Sequence, residues 1–495
     1  MHHYAVSIPA SAGGVGSLPG VVYEPGPPRR MFAPPAYEDL LPVAVLAHGF
    51  TGNTAMMSSL ARRLARAGYA VVSFDFRGHG QNPVPFTSDR STLRDDFDAA
   101  VLFARTQRHY DPERVAILGH SMGAFAALDY ASYRADLGAV VAISGGAAPS
   151  GPYDPPNPLL IWAEGDPKPM RNLLRETAAV LAGLEQLVLG ETYGEFARGS
   201  AVRASEVDGV DHLTILYSDA LAARARDWLE NSIGPGTAAV QIAGDGRFGW
   251  AGLGIAAGIV VLWGLIGWLS PLLSIFPGAS VATPLRALGV FALALTLALL
   301  LLVGIDGSGA GSPFAAIPFV AARDLIGFYA ISGALLCVWL FRIGALRAPG
   351  LGLRTWGGAG LLLGLSVLVF GSMLSAFVGL WPAAHRLPGI AASALLMLPF
   401  YAAFEFLLRP NADTPIWLPL AGRVLTLGAV LGGALLGILP FFLLMTVIGF
   451  VGLFALFELL GQRALRVAPN PWLIAIYQAA FSAWALGAIF PYGPA

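Results

Sequence analysis

Eight apolar stretches in the second half of this chain constrain its fold more than any other feature. Runs near 250–269, 285–305, 324–343, 358–380, 388–408, 424–439, 441–460 and 471–490 each approach the ~20 residues that an α-helix needs to cross the hydrocarbon of a bilayer. They specify an all-α transmembrane bundle of about eight helices. The pair flanking Pro440 leaves an alternative, a single broken helix or re-entrant hairpin over 424–460, which would give seven. Composition agrees: 56% of the 495 residues are hydrophobic and 12% charged, against ~25% charged in soluble proteins.

Charge divides the chain near Phe248. Residues 247–495 carry eleven Arg and five acidic side chains, whereas residues 1–246 carry nineteen basic and twenty-six acidic ones. The expected organisation is a soluble domain at 1–232, a flexible Gly-containing linker at 233–249 and a multi-pass membrane domain at 250–495. A net charge of −1 argues against a nucleic-acid partner. Cys337, the single cysteine, excludes an intrachain disulfide, thiolate zinc and CxxC redox chemistry.

Two indicators of orientation oppose each other. Arg286, Arg342, Arg347, Arg354, Arg409, Arg423, Arg463 and Arg466 fall at one set of span ends, Arg247, Arg323 and Arg386 at the other. The positive-inside rule would then put the front half outside the cell, yet residues 1–12 lack the pattern of a secretory signal, which favours the cytoplasm. Glu405 and Glu458 lie late in spans, each followed by an Arg, and read as snorkelling ends rather than a proton relay.

The front half alternates short β-rich runs (Val43–Ala47, Val71–Phe76, Val115–Leu118, Val140–Ser144, Leu159–Ala163) with helical stretches near 54–67, 92–107 and 122–133, and a closing helix over about 213–229. Such alternation predicts a mostly parallel sheet covered on both faces, with ligands at the carboxyl ends of its strands. The third run leads into Gly119-His120-Ser121-Met122-Gly123 and then an Ala-rich helix. This is a GxSxG turn in strand–turn–helix context, which lifts the serine hydroxyl clear of the sheet edge. The bland alternative is a serine that caps a helix.

With His48-Gly49-Phe50 after one strand and Asp75-Phe76-Arg77-Gly78-His79-Gly80 after the next, residues 20–232 resemble the α/β-hydrolase superfamily, in particular its monoacylglycerol-lipase-like and small-esterase members. The resemblance implies a serine nucleophile at Ser121, then an acid, then a histidine base. Asp166, in the turn after Leu159–Ala163 and before a proline, takes the acid role with Glu164 as rival, and His212 the base. The family's oxyanion donors would be the backbone N–H groups of Met122 and Phe50. Gly119, His120 and Gly123 complete the nucleophile turn. No cofactor or metal is needed by such a triad.

Only residues 145–158 separate the strands between which many relatives insert a lid, so no inserted lid fits. The membrane domain is then the available roof, and substrates that partition into lipid are favoured. The expectation is a membrane-integrated serine esterase acting on lipid-like acyl esters such as monoacylglycerols or lysophospholipids. The alternative is a degenerate hydrolase domain that binds or senses a ligand on a transporter or scaffold. Membrane lipids are expected partners, and oligomeric state is unread.

Overall fold

The computed structural model describes residues 1–10, 16–26, 40–237, 244–273, 275–276, 278, 282–307, 313–346 and 350–494. Part of the expected linker, 238–243, and the span-end Arg347 lie outside them. The chain forms two compact units, Met1–Phe248 together with Ser375–Gly379, and Gly249–Leu374 with Leu380–Ala495.

The first unit is built on strands β1 (His2–Pro9), β2 (Ser17–Glu24), β3 (Leu41–Ala47), β4 (Ala70–Phe74), β5 (Tyr110–His120), β6 (Ala139–Ile143), β7 (Pro158–Ala163), β8 (Thr192–Tyr193) and β9 (Val202–Val207). They form one sheet in the order β1-β2-β4-β3-β5-β6-β7-β9-β8. The pairs from β4 through β9 are parallel, and β1, β2 and β8 join antiparallel at the margins. Helices α1 (Thr54–Arg66), α2 (Ser91–Arg105), α3 (Met122–Ala131), α4 (Lys168–Ala182) and α5 (Asp219–Ser232) cover its faces.

The strands read as continuous apolar runs because both faces are covered. Along β3, Val43, Val45 and Ala47 enter one core while Ala44 and Leu46 enter the other. α1 lays Met57, Leu60, Ala61 and Leu64 on the second core, and α2 sends Phe97, Ala100, Val101 and Ala104 into the first. Each large side chain so buried contributes roughly 1.5–3 kcal/mol.

The five strands expected in this half are present, joined by β1, β2, β8 and β9, which the sequence reading did not identify. α4 was also missed. The closing helix starts later than expected: a 3₁₀ turn at Thr214–Tyr217 follows His212, and α5 begins after Ser218, whose hydroxyl accepts from Leu221 N.

The second unit contains α6 (Arg247–Trp268, entered from the first unit), α7 (Pro284–Gly307), α8 (Ala322–Arg342), α9 (Leu353–Leu374), α10 (Leu387–Leu408), α11 (Trp417–Leu435), α12 (Val447–Val467) and α13 (Pro471–Ile489). All eight are long and apolar enough to cross a membrane. The chain around Pro440 resolves into two helices, with a 3₁₀ stretch at Phe441–Thr446 leading into α12, so the described residues hold eight candidate spans and not seven.

Glu405 and Glu458 do not snorkel. Glu405 and Arg409 are wholly buried, as is Gln478, with Arg423 at 3% and Glu458 at 8% exposure. Arg409 Nη2 donates to Glu458 Oε1 (2.7 Å), Arg423 Nε donates to the same oxygen (3.0 Å), and Arg423 Nη2 donates to Gln478 Oε1 (2.9 Å). Gln478 Nε2 donates to Glu405 Oε1 (2.9 Å), and Arg409 Nε lies 3.3 Å from Glu405 Oε2, which closes a ring. Burial this deep is tolerated because every charge meets an opposite one.

Candidate active site

The carboxyl ends of β5 and β7, with the loop after β9, carry the residues the sequence singled out. β5 ends at His120 and α3 begins at Met122, leaving Ser121 alone in the turn at φ 51°, ψ −115°. A non-glycine residue with positive φ costs about 1–3 kcal/mol and persists only where its surroundings enforce it. Here Ser121 N donates to Ile143 O (2.8 Å), and a Cβ at Gly123 would stand 2.6 Å from His48 O. A Cβ at Gly119 would overlap the Gly123 carbonyl, so strand and helix can approach only with glycine on both sides. Ser121 itself stays half-buried.

Asp166 and His212 meet: His212 Nδ1–H donates to Asp166 Oδ1 at 2.6 Å. The second carboxylate oxygen accepts from Ser144 Oγ (2.6 Å) and from Ala163 N (2.9 Å). Burial alone would raise the Asp166 carboxyl. The hydrogen bond and charge of His212, with the Ser144 and Ala163 donors, outweigh it and hold the group below the usual carboxylate range. Because Asp166 accepts from Nδ1–H, Nε2 is the ring nitrogen left with a free lone pair. The rival acid, Glu164, turns elsewhere and accepts from Gly209 N (2.9 Å).

His120 ties His212 to the serine turn. Its Nε2–H donates to the His212 carbonyl (2.8 Å), and the two rings lie 4.9 Å apart. Burial first, and then the neighbouring His212, push the His120 imidazole down to about 3, so it remains a neutral strut. His48 is likewise held low by burial; its Nδ1–H donates to Gly49 O (2.8 Å) and its Nε2 accepts from Phe76 N (3.1 Å). A Cβ at Gly49 would lie 3.0 Å from Ser121 Cβ, so the His48–Phe50 loop runs directly beside the serine. The Phe50 ring packs edge-on against His79 and Phe86.

Several contributors were invisible as site residues in the sequence. Ser144, at φ 47° just beyond β6, supplies a bond to Asp166 that no motif announces. Asp75, at the head of the Asp75–Gly80 motif, accepts from Thr54 N (2.7 Å) and Gln81 N (2.9 Å) and so joins two rim loops. Ser375–Gly379 belongs to this unit although over a hundred residues separate it from the rest. Three successive carbonyls there accept from Ser58 Oγ (to Ala376, 2.9 Å), Tyr217 OH (to Phe377, 3.1 Å) and Asn53 Nδ2 (to Val378, 2.7 Å). Nothing local to those side chains signals so distant a partner. Among the described residues, no group of three or more His, Cys, Asp or Glu side chains is arranged to hold a metal ion.

A mostly parallel sheet covered on both faces, with a strained serine turn at the end of β5, defines the class: the first unit is an α/β-hydrolase domain. Residues 42–189 match the family described as alpha/beta hydrolase fold. Among curated proteins, the quorum-quenching protein AidA of Acinetobacter baumannii is 35% identical over 111 residues, 22% of this chain and 36% of that protein. An uncharacterized protein of Mycobacterium tuberculosis is 34% identical over 93 residues, 19% of this chain and 32% of that one. The chain thus spans about a third of the length of the curated relatives it matches. Solved structures similar to it include a putative dienelactone hydrolase from Klebsiella pneumoniae (17% identity, TM-score 0.33, 46% of this chain and 98% of that one). A second is a hyperthermophilic esterase from the archaeon Pyrobaculum calidifontis (19%, TM-score 0.34, 47% and 86%).

Proposed function

We propose that the chain is a membrane-integrated serine hydrolase that cleaves acyl esters through an acyl-enzyme on Ser121. The observation that carries this reading is the 2.6 Å bond between His212 and Asp166, with the His212 backbone tied to the residue before Ser121. A serine hydroxyl needs a base to become a nucleophile, and the base needs an acid to fix its tautomer. In this scheme His212 Nε2 takes the Ser121 proton as Oγ attacks the acyl carbonyl. Asp166 steadies the imidazolium, and the N–H groups of Met122 and Phe50 receive the oxyanion. The proton then passes to the departing alcohol, and water releases the acid by the same steps.

Lipid-like esters are the favoured substrates because the same chain carries eight helices suited to a membrane, where such esters concentrate. Fluorophosphonate labelling of the full chain in detergent tests the reading. Wild type should label, Ser121→Ala should not, and Asp166→Asn and His212→Ala should slow labelling by at least about 10³-fold, as loss of a triad member does. An unlabelled wild type in both detergent and lipid would refute it.

A further inference from the structure

The first unit holds a recess, away from Ser121, whose chemistry ester hydrolysis leaves unused. Arg62, Arg63 and Arg66, near the end of α1, line a cavity of about 280 Å³ together with Ser59, Asp245 and Arg247. Two of its four guanidinium groups are already matched. Arg63 Nη2 donates to Asp219 Oδ1 (2.5 Å), and Arg247 Nε donates to Asp245 Oδ1 (2.8 Å). Arg62 and Arg66 have no carboxylate within ion-pair distance among the described residues, so the lining keeps two uncompensated positive charges.

Hydrogen bonds are also left over. The Nε–H groups of Arg62 and Arg63 are buried without a partner, and Arg63 is only 2% exposed. A favourable helix C-terminus accounts for basic residues in the last turn of α1, and Arg63 is held there by bonds from its Nη groups to Ser59 Oγ (3.0 Å), Tyr217 O (2.9 Å) and Asp219, which leave its Nε–H unmatched. A buried guanidinium with an unused donor costs free energy until an acceptor reaches it. The planar fork of Arg suits the oxygens of a phosphate group.

Position narrows the source. Arg247 is the first residue of α6, the first helix able to span a membrane, so the cavity stands where the chain enters hydrocarbon. Phospholipid phosphates lie at that level, and basic clusters beside a span bind anionic headgroups there.

We propose that this cavity is a phosphate site, filled by the headgroup phosphate of an anionic phospholipid at the foot of α6. It is independent of Ser121 and of the hydrolase reading. Its test is native mass spectrometry of the full chain released from nanodiscs of phosphatidylglycerol and phosphatidylcholine, with Arg62→Gln/Arg66→Gln and the single Arg66→Gln beside wild type. Arg66 is exposed, so its substitution keeps a folded comparison available if the double variant does not fold. Wild type should retain phosphatidylglycerol over phosphatidylcholine. The double variant should lose that retention by at least about tenfold and the single one by about threefold, the loss of two and one charge–phosphate contacts. Equal retention by wild type and Arg66→Gln, or no preference for the anionic lipid, would overturn the lipid site. A parallel titration with inorganic phosphate separates the sources: displacement of the lipid by millimolar phosphate would overturn the headgroup assignment in favour of free phosphate, and its failure supports the headgroup.

Discussion

Asp166 has both carboxylate oxygens engaged, by His212 on one side and by Ser144 and Ala163 on the other. Ser144→Ala removes one charge-assisted bond and frees the carboxylate to rotate, so turnover of a soluble ester should fall about tenfold with KM little changed. Steady-state kinetics check this. The carboxyl is held below its ordinary value, so its contribution to stability is complete above the unfolded value of about 3.9 and disappears as pH drops through the folded one. The thermal midpoint of wild type should therefore exceed that of Asp166→Asn above about pH 5, and the gap should narrow towards pH 3. A gap that does not change with pH would refute this. Ser121 and His212 could be singled out because each sits in a short motif or a fixed order along the chain, whereas the choice between Asp166 and Glu164 waited on the bond to His212. Ser144 could not, since its role depends on β6 lying beside β7 in the sheet.

At the scale of elements, the ring of Glu405, Arg409, Arg423, Glu458 and Gln478 fastens α10, α11, α12 and α13 to one another. Arg423 also stacks on Phe404, its guanidinium carbon 3.9 Å from the ring centre, which adds a cation–π term. Arg423→Met leaves Glu458 short of a partner in a buried site and should cost about 3–5 kcal/mol, as breaking such pairs does. The detergent-solubilised chain should then unfold at a clearly lower temperature. Arg423→Met/Glu458→Leu should recover part of the loss, because a removed pair is less costly than a broken one. The snorkelling expectation failed for a specific reason. The sequence shows Arg409 four residues after Glu405, but not Arg423 and Gln478, which reach the cluster only when separate helices pack. The chain around Pro440 was likewise ambiguous in the sequence, which allowed two spans or one broken helix, and the structure has two helices there.

For the whole molecule, the first unit includes Ser375–Gly379, a segment placed in sequence between two of the candidate spans. Its carbonyls hold Asn53, three residues beyond Phe50, and Tyr217, five beyond His212. Gly379 adopts φ +65°, and a Cβ there would run into the Asn53 amide. A fragment ending at Phe248 lacks these partners. Its turnover of a soluble short-chain ester should fall below that of the full chain by about tenfold, roughly the worth of one lost hydrogen bond per rim loop. Equal turnover would show that the segment does not support the site.

The sequence alone determined the division into a charged α/β half and an apolar helical half, because hydropathy and strand–helix periodicity are local properties that survive without a fold. It also determined the serine turn, since glycines flanking a serine between strand and helix constrain the backbone within five residues. Only the tertiary structure decided which acid faces His212, what holds that acid, how the buried carboxylates of the spans are paired, and that four arginines share one cavity. Each of these depends on distances between residues far apart in the chain, which are set by the order of strands in the sheet and by the packing of helices.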